Sequence, residues 1–227
     1  MPGIGNMIYR SPATRWIASS LLLSILASST GYATETRGAP TGRRLDAYIE
    51  SGALAGGEST NLIWYHAENV RFFAATGLEI RVFPQDSLAK RLEGFGLEYT
   101  VAVGYQREDL WEARQAVGPA VTWNLGENWR LHDMIGVVWS SNSDAFDRGY
   151  QTRNGIRYKN VISFETVWQS LPVATRDARV GSGSVTSFYA GFALHGEPGV
   201  YFLLVAMAAV VVGTIASAQV NNTGWGD

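Results

Sequence analysis

The stretch Gly96-Leu97-Glu98-Tyr99-Thr100-Val101-Ala102-Val103-Gly104-Tyr105-Gln106 decides the fold class. Leu97, Tyr99, Val101, Val103 and Tyr105 fall on one parity, and Glu98, Thr100, Ala102, Gly104 and Gln106 on the other. A period of two marks a β-strand whose faces meet different surroundings. The same alternation continues downstream. Val121, Trp123 and Leu125 oppose Ala120, Thr122 and Asn124, and Gly126-Glu127-Asn128 then supplies a short hairpin turn. In residues 129–139, Trp129, Leu131, Ile135, Val137 and Trp139 oppose Arg130, His132, Met134, Gly136 and Val138. Asp133 falls on the apolar parity, which predicts a β-bulge beside it.

Working outward, the pattern predicts strands over residues 45–54, 60–67 and 71–83, with Ala55-Gly56-Gly57-Glu58 and Glu68-Asn69 as turns and Pro84 as a stop. Residues 85–93 read as a polar loop, and residues 107–116 as a charged connection that extends the following strand at its start. Residues 140–155 read as a long polar connection, 156–168 as the seventh strand, 171–183 as a second long loop and 187–195 as the eighth strand. The sum is about eight strands on a hairpin cadence, an all-β, antiparallel, up-and-down barrel with a C-terminal apolar helix.

The two ends differ from this body. Arg10 and Arg15, the apolar run containing Leu21-Leu22-Leu23, and Gly31-Tyr32-Ala33 make residues 1–33 read as a signal peptide, with an uncleaved anchor as the alternative. Residues 34–44 are a polar lead-in, and the barrel proper is expected over 45–195. Residues 200–220 carry no charge and match a membrane helix in length, with Ala209, Gly213 and Ser217 as a small-residue ladder. A helix buried against protein and two strands around Gly213 are the competing readings, the second because Val210-Val211-Val212 favours extended structure. Residues 221–227 form a polar tail.

Composition narrows the function classes. The chain has 227 residues and a formal net charge of -2, so it lacks the basic field that nucleic acid requires. It has no Cys, which excludes disulfides and thiolate metal sites. Eight Trp and ten Tyr suit a β-protein at a lipid–water interface.

Two architectures accommodate eight meandering strands: a soluble, lipocalin-like barrel with an apolar interior, and a membrane barrel with an apolar exterior. Glu50, Glu79, Arg81, Glu98, Arg130, His132, Arg157, Lys159 and Glu165 share the less apolar parity with Gly77, Ala102, Gly104, Gly136, Gly191 and Ala193. Small residues among opposite charges suit a narrow, crowded lumen. Trp129 and Trp139 lie ten residues apart on one parity, as do Tyr158 and Trp168. Ten strand residues span about 33 Å, which at a tilt of about 40° projects to roughly 25 Å, the height between two aromatic girdles.

In this pattern the segment 45–195 resembles the small eight-stranded outer-membrane barrels of Gram-negative bacteria. The resemblance implies an envelope location and a lipid bilayer as the main partner. It departs from that class at its end, where the last strand is internal and Trp225 lies beyond the helical segment. Trp139-Ser140-Ser141-Asn142 is similar to the His-x-Ser-Asn of lipid A deacylases, but Trp139 stands in the His position and leaves Ser141 without a local base.

No catalytic residue is assigned, and no cofactor or metal is expected. His66, His132 and His195 show no HExxH-type spacing. His132 and Asp133 point to opposite faces, so hydrogen-bonded structural histidines are the better reading. Gly181-Ser182-Gly183-Ser184 is a flexible loop and not a nucleophile elbow. The expected role is structural or adhesive, through the loops 140–155 and 171–183. The competing classes are a lipid-modifying barrel enzyme using His132, Ser141 and His195, and a lipocalin-like periplasmic domain that binds a lipid or small apolar ligand and is tethered by the C-terminal helix.

Overall fold

The computed structural model describes residues 43–60, 63–82, 91–106, 110–141, 147–173 and 183–222. The expected signal peptide lies outside the described residues, as does almost all of the polar lead-in and most of the polar tail.

Eight strands form one closed antiparallel barrel in sequence order. They are β1 (Arg43–Thr60), β2 (Ile63–Val82), β3 (Leu92–Gln106), β4 (Leu110–Asn124), β5 (Trp129–Ser140), β6 (Gly149–Tyr158), β7 (Ile162–Pro172) and β8 (Ser184–His195), followed by helix α1 (Glu197–Asn222). β8 closes on β1 in a register running from Glu50↔His195 to Thr60↔Val185. One end carries the short turns β4–β5 and β6–β7 together with the end of β8; this is the turn end. The connections 141–148 and 173–183 emerge from the other, the loop end.

Eight is the expected number, but two boundaries are drawn differently. β2 runs straight through Glu68-Asn69. The Gly-rich turn expected at 55–58 is instead an irregularity within β1, where Gly56 pairs with Asn69 and Glu58 with Tyr65, so that Gly57 stands opposite residues 66–68. Conversely, residues 156–168 are two strands, joined by a tight turn in which Lys159 and Asn160 take φ of 51° and 52°. Two successive left-handed residues make a type I′ hairpin, which normally advertises itself with Gly; Lys-Asn hid it. β4 and β6 also extend into segments read as loops. Their charged residues Glu112, Arg114, Arg153 and Arg157 belong to the inward parity and are buried. No bulge interrupts β5 at Asp133, whose carboxylate sits on the outer face and accepts hydrogen bonds from Trp123 Nε1 (3.1 Å) and Asn154 Nδ2 (2.7 Å).

The orientation of the faces is as the alternation predicts. Leu97 (57 % exposed), Ile135 (64 %) and Phe164 (44 %) point outward, while the inward parity buries charge. A lipocalin-like barrel is overturned by this: its lumen would be apolar. Of the two aromatic pairs the sequence sets ten residues apart, only Trp129 and Trp139 share a strand. Tyr158 and Trp168 lie on different strands, so their spacing measures nothing, but Tyr150 and Tyr158 bracket β6 as Trp129 and Trp139 bracket β5. Trp129 packs on Tyr158 at 4.9 Å between ring centroids at the turn end.

Small residues on the inward parity make room for large ones. The Tyr48 ring lies across Gly77, where a Cβ would come within 2.5 Å of it. Gly77→Val is therefore expected to cost about 1–3 kcal/mol by overpacking, measured as a lowered urea midpoint, and Tyr48→Ala in the same chain to recover part of it.

Helix α1 is a single helix, not two strands around Gly213. It lies against the outer wall: Leu203 packs with Ile49 and Ala74, joined by Val200 and Met207, and Phe202 meets Phe72 at 6.5 Å. Gly196 N donates to Ile49 O (3.0 Å), and Ser51 Oγ donates to Gly199 O. Tyr201, Leu204, Val205, Val211 and Val212 are exposed on its far side. Among the described residues, no helix is long and apolar enough to cross a membrane.

Candidate functional site

The chemistry of this chain is concentrated in its lumen, because inward parity on eight strands converges there. Two polar networks fill it. Toward the loop end, Arg71 and Arg114 face Glu58 and Glu112. Arg71 Nη2 lies 2.7 Å from Glu112 Oε2 and Arg114 Nη2 lies 2.7 Å from Glu58 Oε1. Tyr189 O–H donates to Glu58 (2.7 Å) while accepting from Arg71 Nε (2.8 Å). Two guanidinium groups against two carboxylates leave this network neutral.

Between the networks, Leu54, Phe73, Val167 and Ala193 form an apolar layer with the Tyr189 ring. The space left beside them, bounded also by Thr100, Gln151 and Arg153, is a cavity of about 10 Å³, room for about one water.

Toward the turn end the second network turns on Arg153. Its Nη1 bonds Glu98 Oε1 at 2.7 Å, its Nη2 bonds Glu50 Oε1, and Nη2 also lies 3.1 Å from Glu165 Oε2. Arg157 Nη2 lies 3.1 Å from Glu50 Oε2. Arg153 stands over the Phe73 ring and Arg157 over the Tyr48 ring, each at 5.2 Å. Both inward histidines are held at both nitrogens. His132 contacts Glu98 Oε2 through Nε2 (2.7 Å) and Thr122 Oγ1 through Nδ1 (3.1 Å). His195 contacts Glu50 Oε2 through Nδ1 (2.8 Å) and Ser163 Oγ through Nε2 (2.8 Å).

The three residues singled out for a deacylase-like site are not brought together. His132 and His195 serve separate carboxylates in the lumen. Ser141 sits near the loop end, its Oγ accepting from Ala113 N at 3.0 Å. The side chain of His66 lies outside the described residues. The array sequence reasoning missed is Ser163–His195–Glu50, drawn from β7, β8 and β1. Its connectivity is that of a hydrolase triad, but Ser163 is 2 % exposed and the Glu50 carboxylate already bonds Arg153 and lies beside Arg157. The only signal for it was the parity of Glu50, Ser163, Glu165 and His195, which marks them inward without saying that they meet.

No family model matches the chain, and no curated protein matches it. Among solved structures, it is similar to the outer membrane enzyme PagL at 11 % identity, covering 64 % of this chain and 98 % of that one with a TM-score of 0.42. Neisserial surface protein A (NspA) matches at 14 % identity, over 66 % of this chain and 98 % of that one, with a TM-score of 0.39. Ail, the attachment invasion locus protein of Yersinia pestis, matches at 8 % identity, over 68 % and 98 %, also at 0.39. In fold, the chain resembles small eight-stranded outer-membrane barrels.

Proposed function

We propose that this chain is a small β-barrel of the bacterial cell envelope, seated in the outer membrane, whose role is structural or adhesive and is carried by its surface. The observation that carries the reading is the reversal of polarity across the wall. Apolar side chains ring the outside between two aromatic levels, and Glu50, Glu98, Arg114 and Arg153 are fully buried inside. In water the outer belt would be a large exposed apolar patch; in a bilayer of about 25 Å apolar height it is matched. In this reading residues 1–33 direct export, α1 lies in lipid against the barrel wall, and the connections 141–148 and 173–183 form the binding surface at the loop end.

A filled lumen favours a scaffold over a pore. It also disfavours the hydrolase reading, since the one described serine bonded to a histidine is buried. The test is fractionation of cells expressing the full chain, with and without boiling before electrophoresis. The protein is expected in the outer-membrane fraction, with a faster-running unboiled band. Recovery from the soluble fraction, or identical mobility before and after boiling, overturns the proposal. The adhesive role is tested by replacing residues 174–182 with a short Gly-Ser linker. Cell-surface binding is expected to fall while the gel shift persists.

A further inference from the structure

The turn-end half of the lumen, here called the lower lumen, holds more carboxyl groups than guanidinium groups among the described residues. Glu50, Glu79, Glu98 and Glu165 are all buried there, against Arg153 and Arg157. The pairs Asp46–Arg81 and Glu93–Arg130, further out toward the turn end, cancel among themselves. Among the described residues, two carboxyl groups are left without a guanidinium partner in a space that excludes bulk water, where each must hold a proton or meet a cation.

The side chains say where. Ligand atoms of Glu50, Glu165 and His195 lie within 4.8 Å of one another, and all three residues are buried. Glu165 is fully buried, yet neither of its oxygens has a hydrogen-bond partner among the described residues. Oε2 has the 3.1 Å charge contact to Arg153, and Arg157 and the Ser163 hydroxyl also act on the carboxylate, but neither oxygen accepts a well-formed hydrogen bond. Opposite it stands Gly155, where a Cβ would strike the carboxylate, so the position keeps open the space into which Glu165 reaches.

His195 completes the set. Its Nε2 contacts Ser163 Oγ, and its Nδ1 faces Glu50 Oε2 at 2.8 Å. If Nε2 carries the proton and donates it to Ser163, Nδ1 is a bare lone pair pointed at a carboxylate. In that tautomer the two atoms need a cation bound to both; in the other, Nδ1–H itself donates to Glu50 and Ser163 Oγ donates to Nε2. Metal-bound histidines are typically fixed in this way, with the second ring nitrogen donating to a partner that sets the tautomer.

We propose that Glu50, Glu165 and His195 bind one first-row divalent metal ion in the lower lumen. One imidazole and two carboxylates suit Zn²⁺, Fe²⁺, Co²⁺ or Mn²⁺ better than Mg²⁺ or Ca²⁺, which take oxygen ligands alone. A divalent ion also cancels the residual charge. Three protein ligands leave coordination positions for water. His195 is the last residue of β8 and its backbone N bonds Val161 O in the β6–β7 turn, which places the site near the turn end.

The test uses the full chain folded in detergent, stripped with a chelator and titrated with Co²⁺. Visible absorption reports the coordination sphere and elemental analysis the stoichiometry. The expected result is a single Co²⁺ per chain with imidazole-type visible bands. Both His195→Asn and Glu165→Gln are expected to remove them, and Ser163→Ala to weaken binding about tenfold to a hundredfold. The heat-dependent gel shift confirms that each variant is folded; if His195→Asn does not fold, Glu165→Gln and Ser163→Ala carry the comparison. Folded wild-type protein that takes up no Co²⁺, or folded Glu165→Gln that binds it as the wild type does, overturns the proposal.

Discussion

Arg153→Met is expected to lower the unfolding free energy by about 3–5 kcal/mol, because it leaves buried carboxylates without their counter-charge. One guanidinium serves Glu50, Glu98 and Glu165, drawn from β1, β3 and β7. β7 neighbours β6, but β1 and β3 do not, so the side chain ties β6 to walls of the lumen that the hydrogen-bond ladder does not join to it directly. Methionine fills similar volume but brings no charge. Arg153→Lys should be intermediate at best, since a single ammonium cannot present a planar fork to several acceptors. Urea unfolding of the folded protein in lipid vesicles, followed by tryptophan fluorescence, gives the comparison. Adding Glu165→Gln to Arg153→Met removes one stranded carboxylate and is expected to recover part of the loss. A midpoint unchanged by Arg153→Met would show that the lower lumen is well hydrated and its ion pairs energetically idle.

Ile135→Arg gives the second large effect. Ile135 lies on β5 between Trp129 and Trp139, points outward and is 64 % exposed. With lipid outside, an arginine near the middle of the apolar band costs about 2–4 kcal/mol, whereas one near the interface costs about 0–1. With water outside, either change is a surface substitution within about 0.5 kcal/mol of neutral. Leu125, in the β4–β5 turn and 57 % exposed, is the control. Ile135→Arg is expected to destabilise the barrel in vesicles by several times more than Leu125→Arg. Equal, small effects at the two sites would place water against this wall and end the membrane reading.

Alternation made the barrel legible. Leu97 to Gly104 and Trp129 to Trp139 have the faces their parity assigns, and the charges assigned inward are inward except Lys159, which is exposed in the β6–β7 turn over the Tyr158 ring. What misled was polarity taken as a sign of loops. Arg153, with its polar neighbours, made the first part of β6 look like a connection, and Glu112 and Arg114 did the same for the start of β4. In a barrel of this polarity, buried positions are where the charges belong, so a charged strand and a charged loop share a composition and differ only in period. The β6–β7 turn was hidden because Lys159 and Asn160 adopt a conformation usually given to Gly. The expected count of eight was reached by splitting β2 and fusing β6 with β7, two opposite errors. The lower-lumen cluster was beyond reach for a different reason. Glu50, Glu165 and His195 are far apart in the chain, and only the closure register Glu50↔His195 and the β7–β8 pairing Ser163↔Ala193 bring them within contact.

The seating of α1 bears on how the ring is completed. The helix follows the last strand, yet its first turn is bonded to Ile49 and Ser51 of the first. It can settle only after β8 has met β1, and once settled it straps the join from outside the barrel. The seam that forms last thereby gains a latch made of side-chain packing, independent of the backbone ladder beneath it.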